Sequence, residues 1–337
     1  MHQRFDRSKI KTRSLKEREH KMTLKDIKPL DAKFKKHSDL QLELLVKQIA
    51  EAYKGGHQVI LSMGAHPLRC GNSRFIIDLM ERGVITHIAT TDAVPIHDFE
   101  LAYIGATLED VEKYIADGSF GHWNETAEAI NFAAELGYRS KKGLGQTIGQ
   151  VIEKGLTKKM PHKDISIFAA AYRLKIPITV HKLMGGVITD QHPSANFAAL
   201  GKTSGDDFLV FANSISKLQH GVFLCWGSQI MGPEIYLKAL SMARNVAGQK
   251  GRKINKFTTA VFDNHELGNW RKEKDIVNYR NKKSTKDERY YYRPLKTILT
   301  RTIRDGGKSF YIKGDFNITI PVFYHRVIQL IKKPRAV

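Results

Sequence analysis

The chain has 337 residues, a formal net charge of +21 and an apolar fraction of 42%. At roughly 150 residues per domain, that is one large domain or two ordinary ones, with enough apolar material for a core without disulfides. No apolar run approaches the ~18–20 residues of a membrane span. The opening MHQRFDRSKIKTRSLKEREHK has no apolar secretory segment. The two cysteines, Cys70 and Cys225, exclude a disulfide framework and a four-thiolate zinc site. A reduced, cytoplasmic protein is expected, with no metal.

Charge is distributed unevenly. Residues 1–40 carry 13 basic and 6 acidic side chains, residues 41–249 carry 20 of each, and residues 250–313 carry 18 and 7. A neutral centre between basic flanks is not the make-up of a chain that coats nucleic acid throughout. Residues 1–38 read as a basic, weakly periodic N-terminal arm, and residues 39–333 as one domain.

Within that domain helix and strand alternate. Residues 39–56 carry a helical apolar stripe ended by two glycines. A β-rich run at 57–63, a helix over 72–83 and a strand over 84–92 follow. Helices are expected at 108–118, 124–137, 143–156 and 163–175, then a strand at 176–180 and a helix at 206–219. A strand at 221–227 leads into a helix at 234–248. Strands at 256–263 and 308–315 and a helix at 318–333, despite Pro321, complete the pattern. Strands apolar on both faces, separated by helices, indicate a single Rossmann-like α/β domain: a mainly parallel sheet with helices on both faces. Residues 264–307 break the pattern as a charged insertion, expected to lie outside the core.

In such sheets ligands bind beyond the carboxyl ends of the strands. Those ends read GAHPLRCGNS, TTDAVPIHDFE, HKLMGGVITDQHPS, GSQIMGPE, DNHELGNW and KGDFN, and most hold Asp, Glu or His. Neither GxGxxG nor GxxxxGK[ST] occurs. His97, Asp98 and Glu100 form a polar cluster that a helix start would equally explain. Asp190 and His192 lie in a Gly-rich loop, where carboxylates can hold an ammonium group or close an Asx-turn. Asp263, His265 and Glu266 follow a strand, with Trp270 near, an arrangement suited to an alkylammonium or simply to the edge of the core. Neither cysteine has an evident base partner in the sequence. Residues 270–296 interleave basic and aromatic side chains, a pattern compatible with single-stranded nucleic acid or with a solvated loop.

These segments, in this order, resemble the deoxyhypusine synthase family, in particular its bacterial deoxyhypusine synthase-like branch. The residues that carry the resemblance are GAHPLRCG (64–71), TTDAVPIHDFELAYIGAT (90–107), EDVEKYIADGSFGHWNET (109–126), TVHKLMGGVITDQHPS (179–194), WGSQIMGPEIYLKALSMARN (226–245), FTTAVFDNHE (257–266) and GDFNITIPV (314–322). The resemblance implies a homotetrameric, NAD-dependent transferase that moves an aminobutyl group from a polyamine such as spermidine to an amine acceptor. It implies cofactor contacts at Ala65, His66, Leu68, Arg69, Thr90, Thr91, Asp92, His97, Gly227, Ser228, Asp263, Asn264, Asp315 and Phe316. It further implies amine contacts at Asp190, His192 and Glu266. The chain departs from the family at its imine-forming lysine: nine residues after Arg293 stands Thr302, with Lys296 and Lys308 nearby, so the acceptor is expected not to be the hypusine-bearing protein. One acidic position of the substrate loop falls on Gly185. Two alternatives stay open: an inactive relative serving as a binding or scaffold protein, and a nucleic-acid-associated basic protein using the arm and insertion.

Overall fold

The computed structural model describes residues 2–33, 38–271 and 286–331. Its strands are β1 (Met22–Thr23), β2 (Val59–Met63), β3 (His87–Thr91), β4 (Ala106–Thr107), β5 (Ile178–His181), β6 (Val222–Trp226), β7 (Thr258–Asp263) and β8 (Lys308–Lys313). Its helices are α1 (Leu40–Gly55), α2 (His66–Arg69), α3 (Ser73–Glu81), α4 (Val94–Ile104), α5 (Val111–Ala116), α6 (Asn124–Ser140), α7 (Leu144–Lys154), α8 (Ile167–Leu174), α9 (Ile188–Gln191), α10 (Phe197–Ile215), α11 (Met231–Gly248) and α12 (Phe316–Leu330).

Six strands form one sheet in the order β5-β3-β2-β6-β7-β8, and every pair in it is parallel. Counted along the chain, these are the third, second, first, fourth, fifth and sixth strands of the sheet. That is the 3-2-1-4-5-6 order of a doubly wound fold, with its topological switch between β2 and β6. All six lie where apolar runs and glycine punctuation place them, because both sheet faces are covered. Val222, Leu224 and Trp226 pack towards α1, α3 and α12, while Phe223 and Cys225 pack towards α10 and α11. This period-two split makes the parallel strands read as continuous apolar runs.

Three local differences from the sequence expectations have simple causes. Helix α10 begins at Phe197, nine residues before 206, because the Asn196 side chain caps it by accepting the N–H groups of Ala198 and Ala199. The segment 264–307 is not wholly outside the core. Residues 272–285 lie outside the described residues, but Tyr292, Leu295, Ile298 and Leu299 are buried against α11 and β7. Leu295, Ile298 and Leu299 do so on a π-helical turn, Leu295–Thr300, whose apolar spacing is masked in the sequence by flanking cations.

Finally, the arm is docked onto the domain. Leu15 packs with Tyr114 and Trp123, Met22 and Ile27 pack with Leu101 and Ile165, and β1 pairs antiparallel with β4. Arg7 donates to the carbonyls of Asp190, His192 and Ala195 at 3.0, 3.3 and 2.9 Å. Much of the arm's positive charge is thus directed at the chain's own carbonyls and carboxylates. Among the described residues no helix is long and apolar enough to cross a membrane.

Candidate functional site at the carboxyl edge of the sheet

At the topological switch, the ends of β2 and β6 come into backbone contact. Gly64 donates its N–H to the Trp226 carbonyl at 3.0 Å, and a Cβ on Gly64 would collide with the Gly227 carbonyl oxygen. Gly227 has φ +62°, and a Cβ there would stand 2.8 Å from the Phe316 ring. Glycine is required at both positions. The Phe316 ring lies 5.4 Å from that of His66. Ala65, His66, Gly227, Ser228 and Phe316 are therefore brought together from the ends of β2, β6 and β8. Leu68 is fully buried in the core. Asp315 caps α12 by accepting the Asn317 N–H at 2.8 Å. Asp263 accepts the Tyr292 hydroxyl at 2.8 Å and the Gln229 amide at 3.1 Å, with Asn264 exposed beside it. The sequence shows no base for either cysteine, yet His66 Nε2 lies 3.6 Å from Cys70 Sγ. Burial raises the Cys70 thiol and lowers His66, which keeps the pair neutral.

A cleft of about 360 Å³ opens beside β3 and β5, lined among others by Arg18, Arg69, His97, Glu100, Glu109, Phe120 and Gly185–Ile188. Its floor is a buried ion pair, with Arg18 donating to Glu100 at 2.9 and 2.6 Å. Glu100 also accepts the hydroxyls of Thr107 and Thr126 at 2.6 and 2.9 Å. Burial alone would raise Glu100, but the charge and hydrogen bonds of Arg18 outweigh it and hold the carboxyl below its usual range. Burial pushes His97 down to about 4, with Glu100 opposing. The Thr107 hydroxyl donates its proton to Glu100, so it must accept from His97 Nδ1, 2.8 Å away. The remaining ring nitrogen, Nε2, is then an acceptor. Arg69 is exposed and, among the described residues, pairs with no carboxylate. Its charge reaches His66 and His97, adding to the larger effect of burial.

Behind this cleft, Lys182 follows β5 with a side chain 2% exposed, its ammonium 2.5 Å from Asp190 and 3.6 Å from Asp92. Asp190 also accepts the Gly185 N–H at 2.8 Å, and Asp92 accepts the Leu183 N–H at 3.0 Å. Burial raises Asp92, with that hydrogen bond and Lys182 opposing. Both carboxylates thus serve a lysine of the chain itself. Thr90 is buried and bonds the Thr179 carbonyl at 3.0 Å, while Thr91 closes β3 half-exposed.

The other residues singled out by sequence lie elsewhere. His192 is buried between Ser194 and Asn124, at 2.8 and 3.2 Å. Glu266 stands on the surface, paired with Lys313. Thr302 is buried, donating to the Thr297 carbonyl at 2.9 Å and accepting from the Tyr236 hydroxyl at 3.1 Å. Lys308 lies at the amino edge of the sheet, donating to Gln48 at 2.9 Å. Lys296 is buried, with its ammonium 3.4 Å from the Tyr290 ring centre. Burial, then Arg301 and Arg293, lower its pKa. Arg18, Glu109 and Lys182 escape a sequence search tuned to acids, histidines and glycines at strand ends. Only Lys182 left a trace, standing directly after its strand. Among the described residues no group of three or more His, Cys, Asp or Glu is placed to hold a metal ion.

No family model matches the chain, and no curated protein does. Solved structures of similar fold include a candidate deoxyhypusine synthase from Entamoeba histolytica, at 9% identity and TM-score 0.49, covering 88% of this chain and 89% of that one. A conserved candidate LOR/SDH protein from Methanococcus maripaludis S2 aligns at 13% identity and TM-score 0.47, covering 90% and 74%. The complex of AgrE with ornithine and NAD+ aligns at 13% and TM-score 0.46, covering 88% of this chain and 34% of AgrE. This chain therefore spans about a third of AgrE's length.

Proposed function

We propose that this chain is an NAD-dependent enzyme that binds the dinucleotide across the β2/β6 switch and moves an aminoalkyl group from a polyamine such as spermidine to an amine acceptor. The observation that carries the dinucleotide half is the 3-2-1-4-5-6 strand order, with its glycine-lined crossover facing the carboxyl edge. The local chemistry fits the cofactor. Gly64 and Gly227 let the ends of β2 and β6 close on each other and on Phe316, Ser228 lies in the same loop, and Arg69 supplies a cation free of any described carboxylate. Asp92 does not fit the usual ribose-binding acid, because it faces Lys182 and the Leu183 N–H. When bound, NAD would accept and return a hydride at the amine-bearing carbon.

The transferase half is supported by the motif resemblance. The acceptor is taken to be a small amine rather than the hypusine-bearing protein, since Thr302 stands buried where the family lysine would be. A homo-oligomer, a tetramer by the motif resemblance, belongs to the same proposal. Titration calorimetry with NAD+ tests it. Saturable binding is expected, weakened roughly tenfold or more in Arg69→Gln through the loss of a charge-assisted contact. A folded protein that takes up no NAD+ would refute the proposal.

A further inference from the structure

Resting on the transferase proposal, the geometry points to Glu109 as the seat of the ligand's ammonium group, and to Lys182 as the reason that Asp190 does not take that role. Any carboxylate that holds a substrate amine must be reachable and must lack a cation of its own. Asp190 fails on both counts, since it and its Lys182 partner are each 2% exposed. Glu100 fails because Arg18 fills it, again with both side chains buried. Glu266 is reachable but lies on the surface with Lys313.

Glu109 meets both conditions. It lines the cleft and is half-buried. Among the described residues it accepts only neutral donors, the Gly121 N–H at 3.1 Å and Trp123 Nε1 at 2.7 Å, both at Oε2. Its Oε1 is left for a ligand. Burial raises this carboxyl, with the Trp123 and Gly121 bonds and the more distant Arg18 charge opposing and Glu100 adding to it, so an arriving ammonium offsets a burial cost that the fold meets only in part. The backbone just before it is also held unusually, with Leu108 at φ +69° and its carbonyl fixed by the Lys21 N–H at 2.9 Å. Val111, Phe120 and Ile188 provide an apolar wall for the methylenes of an alkylamine. His97 lines the same cleft, and its acceptor nitrogen is the group that would receive a second N–H.

The ligand class is therefore a protonated alkylamine with its charged end at Glu109. The test uses the full chain in low salt and titrates spermidine and NAD+ separately. Wild type is expected to bind spermidine saturably, and Glu109→Gln to weaken it roughly tenfold or more while leaving NAD+ binding unchanged. The amide of that variant keeps an oxygen for the Gly121 and Trp123 donors, so the protein is expected to fold. Asp190→Asn, checked by thermal melting, should change spermidine affinity less than twofold. If that variant does not fold, Glu109→Asp, which withdraws the carboxylate by one methylene, supplies the second arm and should weaken spermidine binding. Absence of spermidine binding to wild type, or Glu109 variants within twofold of wild type, overturns the assignment. NAD+ binding together with spermidine binding that is absent or does not depend on Glu109 removes this inference and leaves the dinucleotide reading intact. Glu109-dependent spermidine binding without NAD+ binding does the reverse.

Discussion

Arg18 ties the arm to the domain, and the consequence of removing it can be worked out from its surroundings. Its guanidinium and the Glu100 carboxylate are each 1% exposed. Arg18→Met strands a buried carboxylate, a change that costs about 3–5 kcal/mol when no water can reach the group. The protein can escape that cost by releasing the arm and letting water in, so the loss is capped by the free energy of arm docking. The perturbation should therefore appear as local opening of residues 2–33 rather than as global unfolding. At about 1.4 kcal/mol per tenfold, the open fraction rises roughly 10²–10⁴-fold. Limited trypsinolysis reads this out at Lys16 and Lys21, and urea unfolding followed by tryptophan fluorescence gives the global stability. Arg18→Met with Glu100→Gln should restore most of the protection, because an amide carries no charge, and its oxygen can accept one of the Thr107 and Thr126 hydroxyls while its NH2 donates to the other. If Arg18→Met is cleaved at the wild-type rate with an unchanged urea midpoint, the pair is not holding the arm and the argument fails.

Two further predictions concern the core. Burial lowers His87 and His181 to about 3 and His97 to about 4. All three stay neutral in the fold near pH 5, whereas the unfolded chain protonates them below about 6.5. Their contribution is complete above that value and is lost as pH falls, at about 1.4 kcal/mol per pH unit for each. Asp98, raised to about 6, and Asp207, raised to about 8, have the opposite sign and offset part of the loss. Urea unfolding between pH 7 and 5 should therefore show an average slope about 1 kcal/mol per unit shallower in His87→Gln than in wild type, and equal slopes would contradict it. Restoring the family lysine by Thr302→Lys should not create activity. It should destabilise by several kcal/mol, since an unpaired ammonium would replace a hydroxyl bonded to Tyr236 and Thr297. A variant as stable as wild type in urea would refute the buried placement of Thr302.

The strands of the sheet and most of its helices are legible in the sequence because their signals are local. Strands such as VILSM and VFLCW are apolar throughout, since both of their faces are covered. Glycine or a capping residue marks many of the boundaries, and strand ends predict a carboxyl-edge site before any register is known. The fold class, and the gathering of Ala65, His66, Gly227, Ser228 and Phe316, follow from that logic. The π-helical turn at Leu295–Thr300 escapes a local reading because cations interrupt its apolar spacing.

Which charges meet is settled by the folded arrangement alone. Arg18 finds Glu100 across 82 residues, and Lys182 reaches Asp92 only because β3 and β5 lie side by side in parallel register, with Thr91 opposite His181. Composition lists these groups as available ligands, whereas burial and pairing consume most of them inside the fold. Strand ends are local features, so the edge at which a site is expected can be read from the chain alone. The fold determined which carboxylate is left over for a ligand, because neutralisation of a buried charge depends on neighbours that no local pattern records.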